Sequence, residues 1–411
     1  MDMRTNLSIL AGAILAVLFC VSGCSTPAAQ VSPNIDMNDS DLSNRVNAFA
    51  ESFYNEITAH GLNENIVFSP VSLYLAFGSV YIGSNGKTSD ELRDAFHFQN
   101  DHSRLSSSVF RYLSKRAGSG IEGNRLLIAN GIWFQKGVAL GNRYMNTIVN
   151  DFNADVHMLD FSQSVMASDN INGWVSEKTG GNVNSIVKPS DFSALTRLVL
   201  ANAVYFKALW KDPFDEKATK SLPFYVDDKN VIQVPFMSRK AETGYVKTPM
   251  YESVEFDYSD GNASMVVVLP KDKNGLSMIE KAFIDGKLLA EMPAFEKKEM
   301  AVLFPKFQIE QEVDLKNVLS KMGVVEAFGY DADFSAMFDN GNELKDTAIT
   351  RAVHKAFIEV EEKGTTAGAA TAVVISKRSI SRPLMFDHPF LFLIKDKLKS
   401  VILFAGCVRK P

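Results

Sequence analysis

From Leu42 onward the apolar residues Leu42, Val46, Phe49, Phe53 and Ile57 recur at spacings of four, three, four and four. That is the repeat of a helix with one buried face, so a helix opens the folded part of the chain. Farther along the pattern changes to short apolar runs of strand length: Leu198 to Phe206, Met265 to Leu269, Ala301 to Phe304, Phe357 to Val360, Phe390 to Ile394 and Ser400 to Val408. Several are apolar throughout, which predicts strands covered on both faces. Turn signals are spread evenly, with no internal repeat and no second linker. One large mixed domain over residues 42–411 therefore fits better than the two or three domains that 411 residues would suggest at about 150 each.

The N-terminus follows another pattern. The 15 residues from Leu7 to Val21 carry no charge, follow Arg4 and lead into small residues, the layout of an export signal over residues 1–23. The run is too short for a membrane span, which needs about 20 apolar residues. It closes on Val21-Ser22-Gly23-Cys24, which resembles a bacterial lipobox, the motif whose Cys is acylated. Cys24 would then be the mature N-terminus and would hold the protein through lipid to a bacterial cell envelope. An ordinary signal peptide cut nearby, with Cys24 incidental, is the plainer alternative. Residues 24–41, rich in Ser, Pro, Ala, Asn and Asp, read as a flexible tether.

Composition narrows the function classes. Hydrophobic residues at 46%, charged at 22%, with 25 Gly and 14 Pro, are globular values. With 43 basic against 48 acidic side chains, net −5, no global basic field draws the chain to nucleic acid. Of three cysteines, Cys407 is left alone once the signal is removed and Cys24 acylated. It sits in the apolar run Val401 to Cys407, where it reads as a small buried hydrophobe, and no disulfide framework is available.

Gly83-Ser84-Asn85-Gly86-Lys87-Thr88 looks like the end of a phosphate-binding loop, but Tyr81 stands where the first Gly of that motif belongs. The preceding segment also reads as helix, so turn chemistry between two helices is the better account. The six His, at 60, 97, 102, 157, 354 and 388, form neither H-E-x-x-H nor a Cys/His cluster. No G-x-S-x-G elbow occurs. No metal site, cofactor or enzyme chemistry is predicted.

The informative segment runs from Glu361 to Ser379. It begins as a strand and then becomes small and uncharged from Thr365 to Ala372. At a period of two, Thr365, Ala367, Ala369, Thr371, Val373 and Ile375 share one face, so nothing there obstructs burial inside a sheet. Composition alone favours a plain flexible loop.

Motifs over more than 300 residues give it another meaning. Asn65-Ile66-Val67-Phe68-Ser69-Pro70-Val71-Ser72, Ile171-Asn172-Gly173-Trp174-Val175 and Leu198 to Lys207 occur in order. They are followed by Trp210, Pro213-Phe214, the small-residue segment, Asp387-His388-Pro389-Phe390 and Phe404-Ala405-Gly406. Together they resemble the serpins, the serine protease inhibitor family. The resemblance implies an α+β fold of about nine helices around three β-sheets, metastable, with residues after Glu362 exposed as a reactive-centre loop at about 363–386. It implies a monomer that acts as a suicide substrate: a serine protease cuts the loop, which inserts as a new strand and traps the acyl-enzyme.

Residue by residue, the resemblance assigns the hinge to Gly364, Thr365, Ala367, Gly368, Ala369, Ala370 and Thr371, with Thr366 departing from the usual Glu. It assigns the shutter, where the central sheet must part, to Ser69, Ser72, Asn202 and His354, and the breach, where insertion starts, to Trp210. Serpin loops usually put sixteen residues between the hinge Glu and the scissile carbonyl; counting on from Glu362, or twelve back from Phe390, reaches Arg378, so the resemblance implies a scissile bond at Arg378-Ser379. Arg there suits trypsin-like proteases. Lys377 keeps the same class, and Val374 or Ile375 would offer bonds to elastase-like enzymes. Small hinge residues match inhibitory members. A non-inhibitory binding or carrier protein is the runner-up, and a hydrolase the third reading. Arg104, Arg111, Lys115 and Arg116 fall on a plausible helix, but such a run is ordinarily a solvated face and not a glycosaminoglycan site.

Overall fold

The opening helix forms as α1, Ser40–Thr58, with Leu42, Val46, Phe49, Phe53 and Ile57 all buried. The structure is a computed structural model that describes residues 40–59, 64–117, 125–339, 347–365 and 382–411. Among them the further helices are α2 (Pro70–Tyr81), α3 (Gly86–Phe96), α4 (His102–Ala117), α5 (Asn142–Phe152), α6 (Ser164–Lys178), α7 (Leu276–Ile284), α8 (Lys287–Ala290) and α9 (Leu315–Lys321). The strands are β1 (Ile66–Phe68), β2 (Arg125–Gln135), β3 (Ala154–Leu159), β4 (Leu198–Leu209), β5 (Asp215–Tyr225), β6 (Val231–Lys247), β7 (Tyr251–Asp257) and β8 (Ala263–Pro270). They continue as β9 (Glu296–Pro305), β10 (Phe307–Asp314), β11 (Ile349–Val360), β12 (Gly364–Thr365), β13 (Leu384–Met385), β14 (Phe390–Asp396) and β15 (Ile402–Val408).

The central sheet has the order β10-β11-β4-β2-β3, with β12 joined to the end of β4. Its two middle strands, β4 and β11, run parallel and pair from Leu198 with Ile349 to Tyr205 with Phe357. The other network has the order β1-β15-β14-β8-β7-β6-β9-β13, with β5 on β6. The 17-residue β6 pairs with β5 through its first residues and with β7 through its last. It thereby joins two sheet regions, which with the central sheet make the expected three.

Helix α2 is buried at every position, so it lies inside the molecule. Ser69 caps its start by accepting the Ser72 N–H, and Pro70 occupies the first turn, where a missing N–H costs nothing. A helix thus precedes Gly83–Thr88, and Gly86 opens α3 at φ +54°. The phosphate-loop look-alike is a turn between helices.

Three boundaries differ from the apolar pattern. The run Phe357 to Val360 is only the tail of β11, because Arg351 and Lys355 interrupt the hydrophobic sequence. They pair with Asp314 at 2.5 Å and Glu310 at 2.7 Å on β10, which lets the strand continue through them. The last strand starts at Ile402, since Ser400 adopts a left-handed turn (φ 57°). The segment after Glu362 is not exposed from its start: Gly364 and Thr365 form β12 and are buried, and at the far end β13 is paired to β9. Cys407 lies buried in β15, as its apolar setting suggested, and burial pushes its thiol up to about 12.

Candidate functional site: the seam between the two central strands

Asn202, mid-strand in β4, faces Asn130 on β2 and His354 on β11 in the sheet register. Its side-chain N–H groups donate to Ser72 Oγ at 2.6 Å, on α2 beneath, and to Asn130 Oδ1. His354 Nε2 accepts the Ser69 backbone N–H at 3.2 Å, so the ring proton resides on Nδ1, which donates to Asn202 Oδ1 at 2.5 Å. Ser69, Ser72, Asn202 and His354 are therefore brought together as the sequence implied, and all four are buried. Asn130 is a fifth member that sequence reasoning missed. It stands out as the lone polar residue in the apolar run Leu126 to Phe134, a signal that marks the position without assigning it a role.

The same seam is open at its other end. Past Tyr205 and Phe357 the two strands diverge, and the chain after β11 reverses at Glu361–Gly364. Glu361 N–H donates to Gly364 O at 2.9 Å, and Gly364 N–H to Glu361 O at 3.2 Å. β12 then runs antiparallel along Leu209 and Ala208 of β4. A Cβ on Gly364 would sit 2.1 Å from the Ala208 carbonyl oxygen, so only glycine allows this approach. Thr365 is fully buried, its hydroxyl 3.1 Å from Tyr258 Oη.

Trp210 holds the turn from beneath. Its backbone N–H donates to Lys363 O and its indole N–H to Glu361 O, both at 2.9 Å, while its ring stacks on Tyr258 at 4.6 Å. The Phe214 N–H donates to Glu362 O at 2.8 Å. The Glu362 carboxylate accepts the Thr219 hydroxyl at 2.7 Å and pairs with Lys306 at 2.8 Å. Burial alone would raise that carboxyl, but Lys306 and Thr219 outweigh it and hold it below the usual range. Tyr258, Thr219 and Lys306 carried no local sequence signal. Cys24, Ala367, Gly368, Ala369, Ala370, Thr371, Val374, Ile375, Lys377, Arg378 and Ser379 lie outside the described residues.

The seam is thus parallel, closed at one end by a polar junction and occupied at the other by a two-residue strand. The sequence model of the family "Serpin (serine protease inhibitor)" matches residues 44–411. Rat neuroserpin is 36% identical over 370 residues, covering 87% of this chain and 89% of that protein. The chain is a serpin. Serpin48 from the insect Tenebrio molitor superposes on this serpin with a TM-score of 0.82 at 33% identity, covering 91% of this chain and 99% of that one. Human thyroxine-binding globulin does so at 0.81 and 27%, again covering 91% and 99%.

Burial pushes His354 down to about 3 from 6.5. The unfolded chain thus binds a proton that the native serpin refuses, so the stabilisation is complete above pH 6.5 and is lost as pH falls. The loss per unit below 6.5 is ~1.4 kcal/mol. Denaturant midpoints measured from pH 7 to 4 should fall more steeply for the parent than for His354→Gln, and parallel curves would refute the assignment.

Proposed function

We propose that this serpin is a suicide-substrate inhibitor of trypsin-like serine proteases. The protease serine attacks the Arg378 carbonyl, the Arg378-Ser379 amide breaks, an ester to the enzyme forms, and Ser379–Pro411 leaves with its new amine. Before water hydrolyses the ester, the segment after Thr365 enters the central sheet between β4 and β11 and carries the enzyme with it.

One observation carries the reading. Gly364 and Thr365 already occupy the first step of that path, paired to β4 where the seam is open. The rest of the hinge, Ala367 to Thr371, has side chains small enough to follow. Each added residue gains ladder hydrogen bonds and buries apolar surface, while the junction at Asn202 must open and re-form around the new strand. Arg378 offers a guanidinium that fits a specificity pocket with a buried carboxylate.

A carrier role is the second reading, favoured by the likeness to thyroxine-binding globulin, in which case the loop would be cut without trapping. Mixing the protein with trypsin separates the two. We expect a complex that survives boiling in detergent, together with a released peptide of 33 residues beginning at Ser379. A peptide beginning at Ile375 or Ser376, released by a cut after Val374 or Ile375, would reassign the target class to elastase-like enzymes.

Thr365→Arg should turn the inhibitor into a substrate. Because Thr365 already fills its socket beside Tyr258 in the native protein, an Arg there is expelled together with β12, and insertion must then begin by burying an unpaired guanidinium, at on the order of several kcal/mol. Each ~1.4 kcal/mol added to the insertion barrier slows it about tenfold, so deacylation would overtake trapping. The expected gel shows complete cleavage with almost no complex, and retention of the parent's stoichiometry would rule out insertion.

The lipobox at Val21 to Cys24 and the tether behind it support a lipid anchor in a bacterial envelope. In cells that make the full chain, Cys24→Ala should abolish lipid labelling and shift the protein out of the detergent phase. Unchanged partitioning would refute the anchor.

A further inference from the structure

A separate aromatic cluster lies on the face of the central sheet covered by α6. Trp133 of β2 and His157 of β3 are direct partners in the parallel register, and their rings stack at 5.2 Å with 17° between planes. Trp174 of α6 closes over them edge-on, 4.9 Å from Trp133 and 6.1 Å from His157. Its indole N–H donates to Asp155 at 2.8 Å, and Lys178, one turn on, pairs with the same carboxylate at 2.6 Å. Two polar atoms of the cluster, Trp133 Nε1 and His157 Nε2, are buried with no hydrogen-bond partner among the described residues.

The small core beneath α6 also contains Ala201, Ala203 and Tyr205 of β4 with Val353 and Phe357 of β11. Helix α6 packs on β2 and β4, and the chain that follows it reaches β11, where Lys355 donates to the Ser185 carbonyl at 2.8 Å, so α6 and its continuation together bridge the seam. A strand entering between β4 and β11 would widen the surface under α6 by about 4.8 Å, one strand spacing, so the helix must give way as the sheet expands.

We propose that His157 is an acid-sensitive catch that holds α6 on the central sheet, and that its protonation frees α6 and speeds entry of a strand between β4 and β11. The second half rests on the insertion mechanism proposed above; the first half does not. With the ring neutral, Nε2 is at most an unused acceptor. Protonation makes it an N–H donor facing no acceptor and places a charge in a half-buried aromatic setting. Stacking on Trp133 returns part of that cost. Burial is the largest influence and lowers the imidazole from its ordinary value, Asp155 opposes that, and Lys178 adds to it. From β2 the ring meets the uncharged Trp133, and no charge from α5, which also packs on β3, acts on it among the described residues. Because the docked state prefers the neutral ring, docking is strongest above pH 6.5 and weakens as pH falls.

The test uses the whole protein without protease. Hydrogen–deuterium exchange of residues 164–178, corrected for intrinsic rates, is compared at pH 7.5 and 5.5 in the parent and in His157→Phe, which keeps a flat ring on Trp133 but does not titrate. Protection of α6 should fall in the parent, by up to about tenfold for a strongly lowered ring, and stay constant in the variant, and the His157 ring should titrate below 6.5 by NMR. Equal losses in the two proteins, or a midpoint at or above 6.5, overturn the catch. A synthetic peptide of residues 365–378 should enter the parent's sheet faster at pH 5.5 than at 7.5, and enter the variant at one rate. Equal peptide rates in the parent overturn the coupling of α6 to strand entry. No uptake at either pH, with the α6 response intact, refutes the insertion mechanism while supporting the catch.

Discussion

Four elements of the fold meet at the side chain of Asn202. Its amide and carbonyl engage β2, β11 and the buried start of α2 at once, and His354 returns the connection to Ser69. Every partner is buried, so no strand can shift register without stranding a donor or acceptor, at about 1–3 kcal/mol for each. That cost makes the seam between β4 and β11 a joint with defined closed states. Its closure is polar where the surrounding core is apolar, and under the insertion mechanism proposed above it would be undone and remade around an added strand whose own backbone supplies replacement ladder bonds.

The far end of the seam is governed by shape. Gly364 admits a backbone approach that any Cβ would block, and Trp210 stacked on Tyr258 forms the floor on which Thr365 rests. Glu362, tied to Lys306 and Thr219, fixes where the chain turns. One end of the joint thus resists opening and the other invites entry. Under the insertion mechanism proposed above, this asymmetry would give strand addition a direction, starting at Ala208 and advancing toward Asn202.

Periodicity made the opening helix and the continuously apolar strands legible, because burial on one or both faces leaves a direct imprint on the hydrophobic pattern. It did not reveal β6, whose residues alternate among solvent, core and two different partner strands, so that Arg239 is buried and Val231 is half exposed. Nor did it reveal the full length of β11, where charges are neutralised by a neighbour distant in sequence. Among site residues, Ser69, Ser72, Asn202, His354 and Trp210 came from family resemblance, since an isolated polar residue in an apolar run carries no role by itself. Tyr258, Thr219 and Lys306 act only through contacts made across the fold. The early burial of Gly364 and Thr365 was hidden because small residues have the same composition in a loop as in a strand that must fit a narrow slot.

The bait segment is fastened at both ends to the scaffold, at Gly364–Thr365 on β4 and at Leu384–Met385 on β9. Both fastenings are main-chain pairings, so they do not depend on which side chains the sequence carries between residues 365 and 384. On the inhibitory reading proposed above, the residue offered to a protease could be exchanged without altering either fastening or the joint at Asn202.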